Sequence, residues 1–370
     1  HHMYLLREAH VLSALWEKAK DEHSPRVRNA LKFWLDSHFV NMSILNRYRP
    51  EVSFPYNPLT GVFYVPSQIA EADPFKAYRN KLKRLSSAFS QKHAISGSCI
   101  VSTGSASALK IKNNSIDYIF TDPPFGENIY YADLNQIIES WHGVFTNVDN
   151  EAIIDRVRGK GLHEYHALIR NVFSEYYRVL KPGRWMTVVF SNSRAAVWNA
   201  IQLALQQAGF VVAEVSALDK KQGSFKQVTS TTAVKQDLVI SVYKPDNELE
   251  KRFNERGSSM ESAWDFVESH LKQLSTIKPK GNEMEFIVER DPRRIYDRMV
   301  AWFVRHDVPV PLSSDEFLSG LQARYPSRDG MIFLSEEVSE YDKKRAQAAQ
   351  APQIELFVSD ERSAIDWLTD

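Results

Sequence analysis

The residues best suited to chemistry form the run Asp122-Pro123-Pro124-Phe125, which directly follows an apolar segment at 116–121. A strand over that segment would deliver the Asp122 carboxylate to the carboxyl edge of a sheet, where open α/β sheets bind ligands. The two prolines hold the turn extended and offer no amide donors, so the Pro123 carbonyl can face a ligand as an acceptor. A carboxylate, a carbonyl and a flat aromatic ring suit a planar base with an exocyclic NH2. The two acceptors take its hydrogens and the ring stacks on it.

The segments around this run alternate between strand-like and helix-like patterns, as is typical of a parallel α/β sheet. The predicted strands are 98–102, 116–121, 185–190, 211–216 and 238–243, and the predicted helices between them are 133–144, 163–179 and 195–207. Gly209 is placed to end the last of these helices as a C′ glycine. Lys181-Pro182-Gly183 is predicted to form the turn before the third strand.

Helical patterns also precede and follow this region. They lie at 9–20 and 26–46, and then at 260–274, 292–305 and 314–325, with a short strand expected at 331–334 and a polar, Ala-rich linker at 343–353. We expect a helical N-terminal segment at 1–60, a catalytic-motif domain at 61–246, and a mainly helical, winged-helix-like C-terminal region at 247–370.

Three motifs, in order along the chain, resemble the amino-methyltransferases that use S-adenosylmethionine. The run at 122–125 matches their signature (D/N/S)-P-P-(Y/F/W), which ends the fourth strand of their sheet. Residues 102–109, STGSASAL, are similar to S-x-G-D-A-x-x-L, and residues 177–183, YRVLKPG, are similar to the R-V-L-K-P-G-G turn before the fifth strand. The runs PPFGENIYYADLNQIIESW and QVTSTTAVKQDLVISVYKP resemble large bacterial DNA methylases described as adenine-specific. The resemblance implies a Rossmann-like methyltransferase sheet, S-adenosylmethionine as cofactor and double-stranded DNA as partner.

The resemblance assigns roles to the catalytic run, Asp122, Pro123, Pro124 and Phe125. Asp122 and the Pro123 carbonyl would accept hydrogen bonds from the target amine during its in-line attack on the methyl sulfonium. Phe125 would stack against a base flipped out of the duplex. Asp in the first position and an aromatic in the fourth favour adenine N6, whereas Ser in the first would favour cytosine N4.

Other residues are expected to bind the cofactor or DNA. The cofactor set implied by the resemblance is Thr103, Gly104, Ser105 and Asp122. Asn128, Tyr130 and Tyr131 would line the base pocket, although they could equally cap the helix that begins near Asp133. The acid-free basic helix predicted at 75–93 offers Lys81, Lys83 and Arg84 to DNA phosphates, and an ordinary solvated helix face is the alternative.

The sequence departs from the family pattern at several points. Ser105 stands where an acidic residue usually lies near the cofactor adenine, and Arg184 replaces the second Gly of the turn. No F-x-G-x-G or D-x-x-x-G-x-G loop follows an apolar strand, and we interpret Gly159-Lys160-Gly161 as a flexible loop before a helix. In this fold the strand that bears the missing loop lies beside the 116–121 strand, which predicts an open apolar edge there. An upstream segment or a second chain is then expected to complete the cofactor site.

Two other functions stay open on the sequence alone. One is a DNA-binding or specificity subunit that keeps the fold and has lost catalysis, which Ser105, Arg184 and the absent glycine loop would explain. The other is an RNA-directed amino-methyltransferase.

The composition limits the partners and the cellular location that we expect for this protein. The chain has 46 Lys and Arg against 46 Asp and Glu, so any nucleic-acid contact must come from local patches. A single cysteine, Cys99, excludes an intrachain disulfide framework and fits a reducing, cytoplasmic location. No apolar stretch is long enough to span a bilayer. The family resemblance suggests a role in restriction-modification or phage defence.

Two clusters of polar residues are given structural interpretations. His142, His163 and His166 have no matching ligand set, so no metal site is expected. Acidic residues interleave with Arg290, Arg293, Arg294 and Arg298, which predicts surface ion pairs.

Overall fold

The computed structural model describes residues 2–48, 65–90, 98–127, 129–192, 194–218, 237–280 and 283–350. The chain divides into two compact units, His1–Ser105 with Gly126–Tyr165 and Ala106–Phe125 with His166–Asp370. The predicted domain boundaries after residues 60 and 246 stay predictions. In the described ranges, no helix is both long and apolar enough to cross a membrane. Two further features that the sequence predicts lie outside the described residues, Val65 excepted. They are a strand or anchoring loop at 61–65 and, at 220–235, a polar loop that either contacts DNA or is simply exposed.

Helices form the first unit. They are α1 (Leu6–Lys20), α2 (Pro25–Phe39), α3 (Pro74–Ser90), α4 (Tyr131–His142) and the start of α5 (Leu162–Val179). From His166 onward, α5 belongs to the second unit. Apolar side chains of α1 to α4 form one core, in which the Trp141 ring stacks on Phe39 with the ring centroids 4.7 Å apart. The helix predicted at 26–46 ends early, at Phe39. The following segment turns instead, so that the Asn46 amide donates to the Ala70 carbonyl at 2.6 Å.

A four-stranded mixed sheet forms the centre of the second unit. Its strands are β1 (Ile116–Thr121), β2 (Leu180–Phe190), β3 (Val211–Leu218) and β4 (Asp237–Tyr243), in the order β1-β2-β4-β3. β1 runs parallel to β2, while β4 runs antiparallel to both β2 and β3. Helix α6 (Ala195–Ala208) connects β2 to β3 and ends at Gly209, which takes the left-handed conformation expected of a C′ residue. The predicted α/β, Rossmann-like class is confirmed, but the sheet is mixed rather than parallel, because β4 runs antiparallel to both of its neighbours.

The predicted turn at Lys181-Pro182-Gly183 is instead a bulge inside β2. Ile116 pairs with Leu180, but Tyr118 pairs with Trp185, so β2 has extra residues between the two pairs. Gly183 has a φ of 71° and donates its N–H to the Lys244 carbonyl at 2.8 Å. A positive φ is tolerated there because glycine has no Cβ.

β1 is an edge strand in the described part of the chain. There it pairs with β2 alone. Tyr118 and Phe120 are 54% and 65% exposed. The strand predicted at 98–102 is wrong: this segment belongs to no strand, and Ile100 and Val101 are both 91% exposed. An apolar pattern alone cannot make a strand, because the backbone also needs a neighbour with which to pair.

Five α-helices and two short hairpins follow the sheet among the described residues. The helices are α7 (Asn247–Arg256), α8 (Met260–Gln273), α9 (Pro292–Arg305), α10 (Ser314–Arg324) and α11 (Val338–Gln350). The hairpins pair β5 (Pro279–Lys280) with β6 (Glu283–Met284) and β7 (Ser327–Arg328) with β8 (Met331–Ile332). The linker predicted at 343–353 is helical as far as Gln350, where the described residues end.

The predicted surface position of Arg290 is wrong. Its side chain is fully buried and donates two hydrogen bonds of 2.9 Å to the Glu337 carboxylate. It also donates to backbone carbonyls at Leu274, Ser275 and Ile332. The guanidinium can be buried because nearly all of its donors meet an acceptor and its charge meets a carboxylate. Arg298 does form an ion pair, with Glu289, but this pair is largely buried as well.

His270 provides a pH-dependent contribution to the stability of the second unit. It is fully buried in α8, and its Nδ1 lies 2.9 Å from the Tyr243 hydroxyl. Burial, with added repulsion from Arg298 and Arg290, lowers the pKa of His270 to about 3. The unfolded chain, with a histidine pKa near 6.5, binds one more proton than the folded chain between these two values.

We therefore predict that the free energy of unfolding falls as the pH drops below about 6.5, with a slope from this residue approaching about 1.4 kcal/mol per pH unit. Denaturant unfolding from pH 7.5 to pH 4.5 measures the slope. His270→Gln should flatten it, whereas the control His163→Gln, at a side chain 89% exposed, should leave it unchanged. An identical slope in wild type and His270→Gln would contradict the prediction.

Candidate functional site

The parallel pair β1–β2 places the Asp122 run at the carboxyl edge of the sheet. Thr121, the last residue of β1, pairs with Val188 of β2, and Asp122 follows at once. Asp122 is exposed, whereas Pro123 is buried. Within the described ranges, the Pro123 carbonyl accepts no hydrogen bond from another residue. A carboxylate therefore stands at the edge of the sheet beside a fixed proline turn, as the sequence predicts.

Phe125 is held in place by two contacts with the end of β2. Its ring packs edge-on against Phe190, with centroids 5.3 Å apart and planes at 80°. Its carbonyl accepts a hydrogen bond of 2.6 Å from the Asn192 side-chain amide. The Asn192 side-chain oxygen in turn accepts from the Arg194 N–H at 2.7 Å, directly before α6. The aromatic ring at the fourth motif position is thus half-buried and anchored rather than free in a loop.

Asn192 is the site residue that sequence reasoning missed. The available signal was its position, because the polar run Ser191-Asn192-Ser193 follows an apolar strand. Polar residues at the end of a strand parallel to the motif strand reach the same sheet edge. The neighbouring Ser193 lies outside the described residues.

The residues after the motif belong to the first unit. The Gly126 carbonyl accepts from the Ile154 N–H at 3.2 Å, and the Glu127 carboxylate lies 3.4 Å from Arg156. Tyr130 is the N-cap residue of α4, but its side chain makes no capping bond. Capping comes from Glu151, whose carboxylate accepts from the Tyr131 N–H at 2.8 Å and from the next amide at 3.1 Å.

These contacts do not decide the roles of the predicted base-pocket residues. Tyr131 is 39% exposed, and Tyr130 is half-buried. The part that Tyr130 and Tyr131 take in base binding stays a prediction, and Asn128 lies outside the described residues.

The Gly159-Lys160-Gly161 segment, interpreted as a flexible loop, lies in a hydrogen-bonded turn that ends just before α5. Asp155 and Lys160 exchange two backbone hydrogen bonds of 2.8 Å. The buried Asp155 carboxylate accepts from two backbone amides in the turn and from Arg158, whose guanidinium also pairs with Asp133. Burial raises the pKa of Asp155, but these hydrogen bonds outweigh it and hold the pKa below its usual value.

The predicted cofactor motif at 102–109 is fixed at one end. The Glu175 carboxylate accepts from the Leu109 N–H at 2.9 Å, and Arg178 donates to the Leu109 carbonyl at 3.0 Å. The hydrogen bond from Arg178 lowers the pKa of Glu175 to about 2, so this carboxylate is charged at neutral pH. Thr103, Gly104 and Ser105 are exposed and belong to no strand. Their joint action with Asp122 on a cofactor stays a prediction.

The predicted DNA-contacting residues fall into two groups. Lys81 and Arg84 line a cleft between α2 and α3, whereas Lys83 is exposed outside it.

In the ranges given above, no group of three His, Cys, Asp or Glu side chains is placed to hold a metal ion.

A family comparison matches the region that carries this geometry. The model of a family described as DNA methylase matches residues 116–348, well over half of the chain. This chain belongs to the DNA methylase family. The resemblance inferred from the Asp122 run is thereby confirmed, and the matched region takes in the whole sheet of the methylase and most of its C-terminal helices.

Solved structures with related folds are only distantly similar to the methylase. A candidate DNA modification methylase from Thermus thermophilus is 15% identical, with a TM-score of 0.23, and the alignment covers 40% of this chain and 58% of that one. A SAM-dependent methyltransferase from Methanosarcina mazei is 13% identical, with a TM-score of 0.25 and coverages of 44% and 77%. The [4+2]-cyclase SpnF is 11% identical, with a TM-score of 0.24 and coverages of 46% and 64%. These similarities do not locate a residue of the site. No curated protein matches the methylase.

The hydrogen bond from Asn192 to Phe125 can be tested by its contribution to stability. Asn192→Asp keeps the oxygen that accepts from Arg194 but removes the N–H donor, and it places a carboxylate against the Phe125 carbonyl. We expect the free energy of unfolding to fall by about 0.5–1.5 kcal/mol or somewhat more. Denaturant unfolding at pH 7.5 measures the change, with Asn199→Asp, at an exposed position of α6, as a surface control of matched chemistry. A loss no larger than in the control would show that the bond does not hold the loop.

Proposed function

We propose that this methylase transfers a methyl group from S-adenosylmethionine to the exocyclic amine of a base flipped out of double-stranded DNA. The observation that carries the proposal is the placement of the Asp122 run by the β1–β2 pair, with Phe125 anchored by Phe190 and Asn192. Membership of the DNA methylase family supports DNA as the substrate.

The residues of the run would act by binding and orientation. Bound S-adenosylmethionine supplies an electrophilic methyl group on a positively charged sulfur. The Asp122 carboxylate and the Pro123 carbonyl hold the two hydrogens of the amine, which aims the nitrogen lone pair at that methyl carbon. As the N–C bond forms and the C–S bond breaks, positive charge grows on nitrogen and the Asp122 charge stabilises it. The electron pair of the broken C–S bond stays on the sulfur, which becomes neutral, and the excess proton passes from the nitrogen to solvent.

Adenine N6 is the acceptor that we propose, and cytosine N4 is the runner-up. The support is the Asp at the first position of the run and the aromatic ring at the fourth, the combination that the resemblance associates with adenine. The ring of Phe125 is proposed to stack on the flipped base, and its partial exposure at the end of the sheet supports this.

We also propose that a further strand, bearing a glycine-rich cofactor loop, pairs with β1. An upstream segment or a second chain would supply it. Support comes from β1, which pairs with β2 alone among the described residues, and from the glycine-loop motif that the sequence lacks. We place the protein in the cytoplasm, in a restriction-modification or phage-defence setting.

A DNA-binding subunit without catalysis is the second candidate. One observation favours it, namely that Thr103, Gly104 and Ser105 are exposed and lie in no strand. If this candidate is correct, the protein binds DNA but forms no methylated base in any reconstituted complex.

The affinity of this chain for S-adenosylmethionine tests the proposal that an upstream segment or a second chain completes the cofactor site. Isothermal titration of residues 1–370 with S-adenosylmethionine should show no binding below about 1 mM, because this sequence lacks the glycine loop that would hold the methionine end. Binding in the micromolar range would contradict the half-site proposal without contradicting methyl transfer.

Asp122 is the residue whose removal tests the chemistry. In the protein purified from its native host with any bound partners, Asp122→Ala should lower methyl transfer to duplex DNA by about 100-fold or more. Asp117→Ala is the matched control, since Asp117 is an exposed carboxylate on the same strand that pairs with Lys181 at 2.7 Å. Radiolabelled methyl incorporation into duplex DNA and into RNA measures the change. Equal activity in Asp122→Ala and wild type would refute the assignment, and transfer to RNA alone would refute the DNA substrate.

A further inference from the structure

A basic cleft between α2 and α3 lies in the first unit. It has a volume of about 390 Å³. Its polar and charged lining includes His38, Asn41, Lys76, Asn80, Lys81 and Arg84. A volume of this size is in the range of a ligand-binding site and exceeds what a single small ion requires.

The cations of the cleft have no anionic partner in the described part of the chain. Lys76, Lys81 and Arg84 form no ion pair there, and α3 contains no acidic residue. Asp73 also lines the cleft, but its carboxylate accepts from the Phe75 and Lys76 amides at 2.9 and 3.2 Å. It therefore serves the N-terminus of α3, where a negative charge is favourable. The remaining excess of positive charge faces the cleft.

His38 is a second group that an anion would affect. Both of its ring nitrogens are buried, and neither makes a hydrogen bond of good geometry with a described residue. Burial lowers the pKa of His38, and an interaction with the Ala77 backbone raises it. The charges of Lys81 and Arg84 lower the pKa further. An anion beside those two cations would cancel part of their field.

The spacing of the cations favours a polymer over a free ion. Lys76 and Arg84 are eight residues apart on one helix, which is about 12 Å at 1.5 Å per residue. A single phosphate cannot contact both ends of that span, whereas a nucleic-acid strand carries a phosphate about every 3.4 Å of duplex axis.

We propose that this cleft binds the sugar–phosphate backbone of duplex DNA, with Lys76, Lys81 and Arg84 as the phosphate contacts. The proposal rests on the proposed function for the identity of the polymer. Lys83 is not a member of the site, although it lies on the same helix. The cleft positions the duplex and reads no base, because phosphates carry no direct sequence information.

A charge-matched pair of double variants tests the cleft. Lys81→Gln with Arg84→Gln removes two cations from the cleft, while Arg79→Gln with Lys83→Gln removes two exposed cations of α3 that do not line it. Fluorescence anisotropy with a labelled duplex, over a series of salt concentrations, measures affinity and its salt dependence. Thermal unfolding checks that both variants remain folded.

We expect the cleft variant to bind DNA at least 10-fold more weakly at about 0.1 M salt, and its slope of log K against log salt to shrink by about 2, near 0.9 per lost phosphate contact. The control variant should change affinity by less than about 3-fold. An equal loss of DNA affinity in the two variants would mean that the effect is general electrostatics, and it would overturn the proposal. No loss of affinity in either variant would overturn it as well.

The His38 ring gives a local readout that does not depend on net charge. Duplex DNA should raise the pKa of His38 measured by NMR, whereas inorganic phosphate at equal phosphate concentration should not. A shift with inorganic phosphate alone would mean an ion site rather than a backbone site, and equal affinity for duplex RNA would overturn the choice of DNA.

The two proposals fail separately. If duplex DNA is methylated but the cleft variant binds it as wild type does, the cleft proposal is wrong and methyl transfer stands. If the cleft variant loses affinity while no methyl transfer is found in any complex, the cleft stands and the proposed catalysis is wrong.

Discussion

The parallel pairing of β1 with β2 is the constraint on which the site depends. It brings the ends of two strands to one edge of the sheet, so that Phe125, in the run after β1, meets Asn192 after β2. The Asn192 amide then fixes the carbonyl of Phe125, and Phe190 packs against the Phe125 ring. A loop with two prolines has few hydrogen bonds of its own, so its geometry must come from these neighbours.

At the opposite end of the same sheet, one buried cation, Lys244, donates hydrogen bonds to three carbonyl oxygens. Lys244 follows β4 and donates its Nζ protons to Asn114, Tyr177 and Leu180, at 2.7 to 2.9 Å. This one side chain therefore joins the start of β1, the end of α5 and the start of β2. Burial lowers the pKa of Lys244, as does the nearby Arg305, while Glu250 opposes them. Lys244 thus joins the elements at the base of the sheet, while the run at 122–125 leaves the sheet at its carboxyl edge.

The features best predicted from the sequence are those that local chemistry determines. The strand at 116–121 and the helix at 292–305 have the predicted bounds, because each has a clear hydrophobic period and a clear stop. The motif after β1 was predicted for the same reason, since proline and glycine restrict the backbone wherever they occur. The C′ role of Gly209 belongs to this group as well.

The features that were missed depend on partners distant in the sequence. Residues 98–102 have the pattern of a strand but pair with no other described residue. Arg290 is buried because Glu337 and three carbonyls reach it from elsewhere in the chain. Asn192 gave a positional signal, yet its donation to Phe125 is a property of the sheet. No local pattern at Lys181-Pro182-Gly183 distinguishes a turn before a strand from a bulge within one.

The central claim is that Asp122, placed by β1, directs methyl transfer to an exocyclic amine in DNA. The most direct measurement is mass spectrometry of nucleosides from genomic DNA of the native host, after deletion of the gene and complementation with wild type or Asp122→Ala. N6-methyladenine should disappear from the methylated sites on deletion, return with wild type and not return with Asp122→Ala. Full restoration by Asp122→Ala, or no change in any methylated base on deletion, would contradict the claim.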